Sequence, residues 1–140
     1  MTKPPILIIE DDELQAVDLK SRLEKNLEIP VEVISTESTF LKRVDGVNSQ
    51  TYTAAVVDMM LRWTDPAPNM EPPPPEVLEE GSYTAGLRCC RALAAKGVRC
   101  IIFTALSPNA IPLKPVDVFE IIHKGGDGYA ALLEALRRPG

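Results

Sequence analysis

Apolar residues fall along the chain in short unbroken runs and helix-spaced stripes that alternate with one another. Ile6-Leu7-Ile8-Ile9 is one run of strand length and Ala54-Ala55-Val56-Val57 is another. Neither alternates with polar residues, so each reads as a strand covered on both faces, as central parallel strands are. Between them Ala16, Leu19, Leu23 and Leu27 recur at helical spacing. Asp12 is placed to cap that helix and Pro30 prevents its continuation. Val31-Glu32-Val33-Ile34 predicts a second strand, residues 39–44 with Phe40 and Leu41 a short second helix, and residues 45–52 a return loop.

From residue 62 to 84 the periodicity fails. Six of the thirteen prolines lie there, and the stretch favours extended, polyproline-like conformations that do not easily form a packed element. Helical spacing resumes with Leu87, Cys90 and Ala94, and Gly97 stands where a helix ends. Arg99-Cys100-Ile101-Ile102-Phe103-Thr104 predicts a fourth strand. Pro108, Pro112 and Pro115 limit any helix in 105–116 to one or two turns. Val118-Phe119-Glu120-Ile121-Ile122 predicts a fifth strand that delivers His123 and Lys124. Gly125-Gly126-Asp127 then turns the chain and caps a last helix with Tyr129, Leu132, Leu133 and Leu136 on one face. Five alternations of strand and helix predict an α/β sandwich around a five-stranded parallel sheet.

The ends of these strands carry the chemistry. Glu10-Asp11-Asp12-Glu13 follows the first run directly and Asp58 follows the third strand. Parallel connections bring such ends to one sheet edge, which is where open α/β sheets bind ligands. Carboxylates gathered there repel unless a cation or proton offsets them, and oxygen-only ligands favour a hard ion, Mg²⁺. Acidic residues after a strand also suit the first turn of a helix. Asp58 favours the metal reading, because it is an independent carboxylate on another strand. Thr104 adds a hydroxyl donor and Lys124 a point charge. The set meets the needs of phosphoryl transfer, which is mostly positioning and electrostatic stabilisation, with Asp58 as the nucleophile forming an acyl phosphate.

Composition narrows the alternatives. At 140 residues the chain is expected to be one domain with a proper core. A net charge of −5 without a basic run argues against direct nucleic-acid or membrane-surface binding. No apolar stretch approaches the ~20 residues of a membrane span and no signal peptide is apparent, so a cytoplasmic location is expected. Cys89, Cys90 and Cys100 read as buried thiols, and His123 as a polar strand-end residue. No Gly-x4-Gly-Lys-Ser/Thr occurs.

The ordered set Ile-Leu-Ile-Ile-Glu-Asp-Asp-Glu, Val-Val-Asp-Met-Met-Leu, Ile-Ile-Phe-Thr-Ala and a late Lys resembles the receiver domain of two-component response regulators. That is the CheY-like, flavodoxin-like superfamily, and the likeness spans nearly the whole chain apart from the proline-rich stretch. The resemblance implies a three-layer α/β/α sandwich with strand order 2-1-3-4-5 over residues 1–140. It implies that Glu10 and Asp11 are the acidic pair, with Asp11 and Asp58 the direct Mg²⁺ ligands and the Met60 backbone carbonyl completing the protein's share. Asp58 would accept phosphate from a sensor histidine kinase or phosphotransfer protein, and Thr104 and Lys124 would contact the phosphoryl oxygens. The result is a phosphoacceptor switch acting on a downstream output protein or domain. It is not an independent turnover enzyme, since it catalyses only its own phosphotransfer and dephosphorylation. A homodimer is compatible with this reading and is not derivable from it.

Departures from the family pattern are equally specific. The equivalent of the family's helix-opening Gly is Gly86, 28 positions after Asp58, which makes 62–84 a proline-rich loop insertion. It is either a tolerated loop or a docking segment built on Trp63, Tyr83 and Pro72 to Pro75. Lys124 precedes Gly125 where the family has a proline, and Ile121 stands where it commonly carries Tyr or Phe. Met60 and Leu106 lie where the family tunes access of water, and their apolar side chains imply a long-lived phosphoryl group. The altered Lys124 loop and proline-broken fourth helix favour an alternative, a receiver-like interaction module independent of phosphorylation. A Mg²⁺-dependent phosphohydrolase is disfavoured, because Met60 stands where such enzymes need a second acid.

Overall fold

In the computed structural model, which describes residues 3–64, 72–81, 84–106 and 120–138, the apolar runs become the strands of one parallel sheet. These are β1 (Ile6–Ile9), β2 (Val31–Ile34), β3 (Ala54–Val57), β4 (Cys100–Thr104) and β5 (Glu120–His123), in the order β2-β1-β3-β4-β5. The described helices are α1 (Glu13–Leu27), α2 (Glu37–Val44), α3 (Pro75–Glu80), α4 (Ala85–Ala95) and α5 (Gly128–Arg137). The alternation predicts the five-stranded parallel sheet, and the strand order is the flavodoxin-like one that the resemblance implies.

Alternate residues of each central strand feed opposite cores, as the period of two requires. Leu7, Ile9, Ala55, Val57, Cys100 and Ile102 pack with Phe40 of α2 and with Cys89, Cys90 and Leu93 of α4. Ile6, Ile8, Ala54, Val56, Ile101 and Phe103 pack with Leu19 and Leu23 of α1 and Leu132 and Leu136 of α5. The three cysteines are accordingly buried thiols outside any disulfide.

Asp12 caps α1 as expected, its side chain accepting the Gln15 N–H. Gly97 follows α4 with φ 81, the left-handed position foreseen for it. Other details differ from expectation. α2 begins at Glu37 rather than residue 39, because the Thr36 side chain accepts the Thr39 N–H and caps it there. Asp127 occupies the N-cap position of α5 without a side-chain cap bond.

The proline-rich stretch contains a regular element after all. Pro75 opens α3 at the first turn, where its missing N–H costs no bond, and the following Glu-Val-Leu-Glu-Glu continues it. Val77 is the residue that α3 buries. The expected short helix within 105–116 falls mostly on residues 107–119, which lie outside the described residues, as do Val118, Phe119 and Tyr83.

Candidate functional site

Backbone pairing carries the ladder past the strands and into the residues that matter. Glu10 donates its N–H to Ile34 O (3.1 Å), Asp58 to Ile9 O (2.9 Å) and Lys124 to Thr104 O (2.8 Å). The pairings Ile9 with Val57 and Thr104 with His123 level the strand ends. Side chains following β1, β3, β4 and β5 therefore share one edge.

Carboxylate oxygens of Glu10, Asp11 and Asp58 all lie within 4.8 Å of one another. The Lys124 ammonium projects among them, with Nζ 2.7 Å from Glu10 Oε1 and 3.5 Å from Asp58 Oδ2. Asp58 Oδ1 accepts the Met59 N–H at 2.8 Å, which fixes the carboxylate plane. Glu10 Oε2 accepts the Asp12 N–H, and Asp11 Oδ2 accepts the Arg62 N–H at 3.0 Å. An open cleft of about 840 Å³ borders the cluster, lined in part by Glu10, Asp11, Lys20 and Arg62.

The Lys124 ammonium meets the carboxylates of Glu10 and Asp58 at the buried end of this cluster. Burial pushes the Glu10 carboxyl up to about 7; the Lys124 hydrogen bond opposes that rise and the Asp58 charge reinforces it. Asp12, in contrast, is held below the usual carboxylate range by hydrogen bonds from the Gln15 backbone and side chain. The convergent, all-oxygen donor set fits a hard divalent cation, with Glu10, Asp11 and Asp58 as the residues able to hold it.

Thr104 is buried at the end of β4, and its Oγ1 accepts the Leu106 N–H at 3.2 Å. The hydroxyl proton thus remains available for donation. His123 faces away from the acidic cluster in its bonding: Nδ1 accepts the Gly125 N–H and Nε2 lies 3.1 Å from Ala105 O. That agrees with a strand-end polar role. Met60 is exposed.

Gly86 closes the site from behind. A β-carbon there would lie 2.4 Å from Asp58 O and 2.7 Å from Met59 Cα, and the Gly86 N–H bonds Met59 O at 2.8 Å. Only glycine allows α4 to start against the strand end that carries Asp58.

Two residues of this edge escape the sequence reading. Gln15 accepts from Lys124 Nζ at 2.7 Å, and Arg62 Nη2 donates to Asp11 O at 2.9 Å. The Asp12-x-x-Gln15 spacing is a capping signal that could have drawn attention to Gln15. Nothing in the sequence distinguishes Arg62.

No protein-family model matches the chain, and no curated protein matches it. Solved structures do match in fold. The response regulator TrrA from Thermotoga maritima, in complex with Mg²⁺-BeF, superposes with TM-score 0.65 at 18% identity, covering 95% of this chain and 98% of that one. The non-phosphorylated HemR receiver domain from Leptospira biflexa gives TM-score 0.65 at 22% identity, covering 99% of each chain. RcsB from Salmonella enterica serovar Typhimurium, bound to promoter rprA with phosphomimetic BeF3⁻, gives TM-score 0.67 at 14% identity, covering 96% of this chain and 66% of that one. The chain has the CheY-like receiver fold.

Proposed function

We propose that this receiver fold works as a phosphoacceptor switch in two-component signalling, with Asp58 as the residue that takes the phosphoryl group. One observation carries the reading: Glu10, Asp11 and Asp58 converge within 4.8 Å, and the Lys124 ammonium reaches to 3.5 Å from Asp58. TrrA was solved in complex with Mg²⁺-BeF and RcsB with phosphomimetic BeF3⁻, which supports metal and phosphoryl chemistry on this fold.

Asp11 and Asp58, supported by Glu10, would hold Mg²⁺ together with the Met60 carbonyl, and the ion supplies charge neutralisation to the arriving phosphoryl oxygens. An Asp58 oxygen attacks phosphorus as the P–N bond of a phosphohistidine breaks, and the freed imidazole takes a proton from solvent. Lys124 and the Thr104 hydroxyl bind the phosphoryl oxygens, and the Met59 N–H keeps Asp58 oriented. The partners are a sensor histidine kinase or phosphotransfer protein upstream and an output protein or domain downstream, in the cytoplasm. Among the described residues no helix is long and apolar enough to cross a membrane.

The test is intact mass after incubation with Mg²⁺ and acetyl phosphate, on the native chain and on Asp58→Ala. Gain of one phosphoryl group, abolished by Asp58→Ala and by omitting Mg²⁺, is expected. No gain, with no Mg²⁺ binding by calorimetry, would leave a receiver-shaped interaction module that acts without phosphorylation.

A further inference from the structure

We propose that Gln15 is a positioning residue for Lys124, holding the ammonium over the acidic cluster through its side-chain carbonyl. For the chemistry, the inference rests on the phosphoacceptor reading above; the contact itself does not.

The backbone of Lys124 is tied, its N–H bonding Thr104 O at 2.8 Å and the next N–H, of Gly125, bonding His123 Nδ1 at 3.0 Å. Gly125 and Gly126 after it, however, carry no side chain to pack against the lysine stem. A flexible four-carbon stem on such a loop needs partners at its tip to occupy one place. An ammonium has three hydrogens, and three oxygens surround Nζ: Glu10 Oε1 and Gln15 Oε1, each at 2.7 Å, and Asp58 Oδ2 at 3.5 Å. Gln15 therefore takes as close a share of Lys124 as the buried acid does.

The Gln15 amide is itself oriented. Its backbone N–H donates to Asp12 Oδ1 and its Nε2 donates to Asp12 Oδ2, both at 3.1 Å. With the amino group committed to Asp12, the carbonyl must face Lys124. The reversed amide would set N–H against N–H at one end and oxygen against carboxylate at the other. Asp12 caps α1, so the helix start, Gln15 and Lys124 form one chain of contacts from α1 to the loop after β5. A neutral acceptor suits this role, because it holds the ammonium without cancelling the charge that an arriving phosphoryl group needs.

The experiment compares the native chain with Gln15→Met, which keeps length and helix preference without a strong acceptor, and Gln15→Glu, which keeps an acceptor at the same reach while giving up the Nε2 bond to Asp12. The first readout is the Lys124 Nζ–H cross-peak in ¹⁵N-resolved NMR at low temperature, assigned by Lys124→Arg. It should be present in the native chain and in Gln15→Glu and lost to exchange in Gln15→Met. The second readout is the rate of phosphoryl gain from acetyl phosphate, which should fall about tenfold in Gln15→Met with Mg²⁺ affinity unchanged. Thermal unfolding of each variant separates these effects from lost structure. An unaltered cross-peak and rate in Gln15→Met would overturn the proposal. A cross-peak that responds as expected in a chain that gains no phosphoryl group would uphold the positioning and overturn the phosphoacceptor reading instead.

Discussion

Glu37 and Arg88 form a buried ion pair that ties α2 to α4, and removing either partner should be among the costlier changes to this protein. The side chains are only 2% and 7% exposed, and the contact is bidentate, with Arg88 Nε and Nη2 each 2.8 Å from a Glu37 oxygen. Those hydrogen bonds hold the Arg88 guanidinium above its ordinary pKa. Arg88 Nη1 completes its set with Thr84 Oγ1 at 3.0 Å and Glu80 Oε1 at 3.3 Å, which brings α3 into the same network. Arg88→Met leaves a carboxylate buried without a partner, a change that costs ~3–5 kcal/mol in comparable sites. Glu37 opens α2, whose N-terminal dipole offsets part of that, by ~0.5–1 kcal/mol, so the low end, about 3 kcal/mol, is expected. Glu37→Met leaves the cation to the Thr84 hydroxyl and the half-exposed Glu80, and about 2–3 kcal/mol is expected.

Urea unfolding of both single variants and of the double variant Glu37→Met/Arg88→Met measures the pair. At this chain length each kcal/mol corresponds to a melting shift of about 2–4 °C, so Arg88→Met should melt about 6–12 °C lower. The double variant replaces two buried charges by apolar side chains and should lie closer to the native chain than either single variant. Single-variant losses of about 1 kcal/mol or less, or a double-variant loss equal to the sum of the two, would refute the account of a desolvated, mutually dependent pair.

Glycine substitutions should divide by what the new β-carbon meets: Gly86→Ala strikes Asp58 O at 2.4 Å and Gly128→Ala strikes His123 O at 2.1 Å, whereas Gly46→Ala meets nothing nearer than 3.7 Å. The first two should lose about 1–3 kcal/mol and slow phosphoryl gain, and Gly46→Ala should do neither, as read by denaturation and intact mass. Tyr52, bonded to Glu32 Oε2 at 2.5 Å, is pushed up to about 12 mainly by burial, so ultraviolet titration should show a late-ionising component that Tyr52→Phe abolishes. Because the folded value lies above the unfolded value of 10.0, the native state holds the proton more tightly; this stability is fully present below pH 10 and lost as pH rises through 12. The apolar Met60 and Leu106 side chains should retard hydrolysis, so Met60→Glu should shorten the acyl-phosphate lifetime severalfold; equal lifetimes would remove that role.

The sheet was legible because its central strands are buried on both faces, which leaves unbroken apolar runs with sharp polar endings. Ile6 to Ile9 and Ala54 to Val57 announce themselves in that way, and the residues after them fall on one edge by the rule of parallel connections. Glu10, Asp11, Asp58 and Lys124 could therefore be placed together from their positions alone. Gln15 and Arg62 could not, since each acts through a side-chain reach that depends on how α1 and the chain after β3 are set against the edge. The Glu37 and Arg88 pair was invisible for a related reason. The partners are 51 positions apart, and a charged residue in an amphipathic helix reads as solvent-facing until its partner is known. Proline content hides α3 in the sequence, although Pro75 at a helix start leaves the next five residues free to follow their own preference.

The chain between β3 and α4 shows how a long connection can be accommodated without disturbing the residue before it. Its outgoing end is fixed by main-chain bonds to the start of α2, Glu37 N–H to Arg62 O and Ser38 N–H to Trp63 O. Its returning end is fixed by Gly86 against Asp58 and Met59. Between them, α3 buries Val77 and reaches Arg88 and Arg91 through Glu80. The Arg62 N–H and guanidinium on Asp11 add to the outgoing anchor, so the position of Asp58 is supported by these two ends of the connection. Loop length adds closure entropy only slowly, about 0.6 kcal/mol for each doubling, so a connection this long costs little more than a short one.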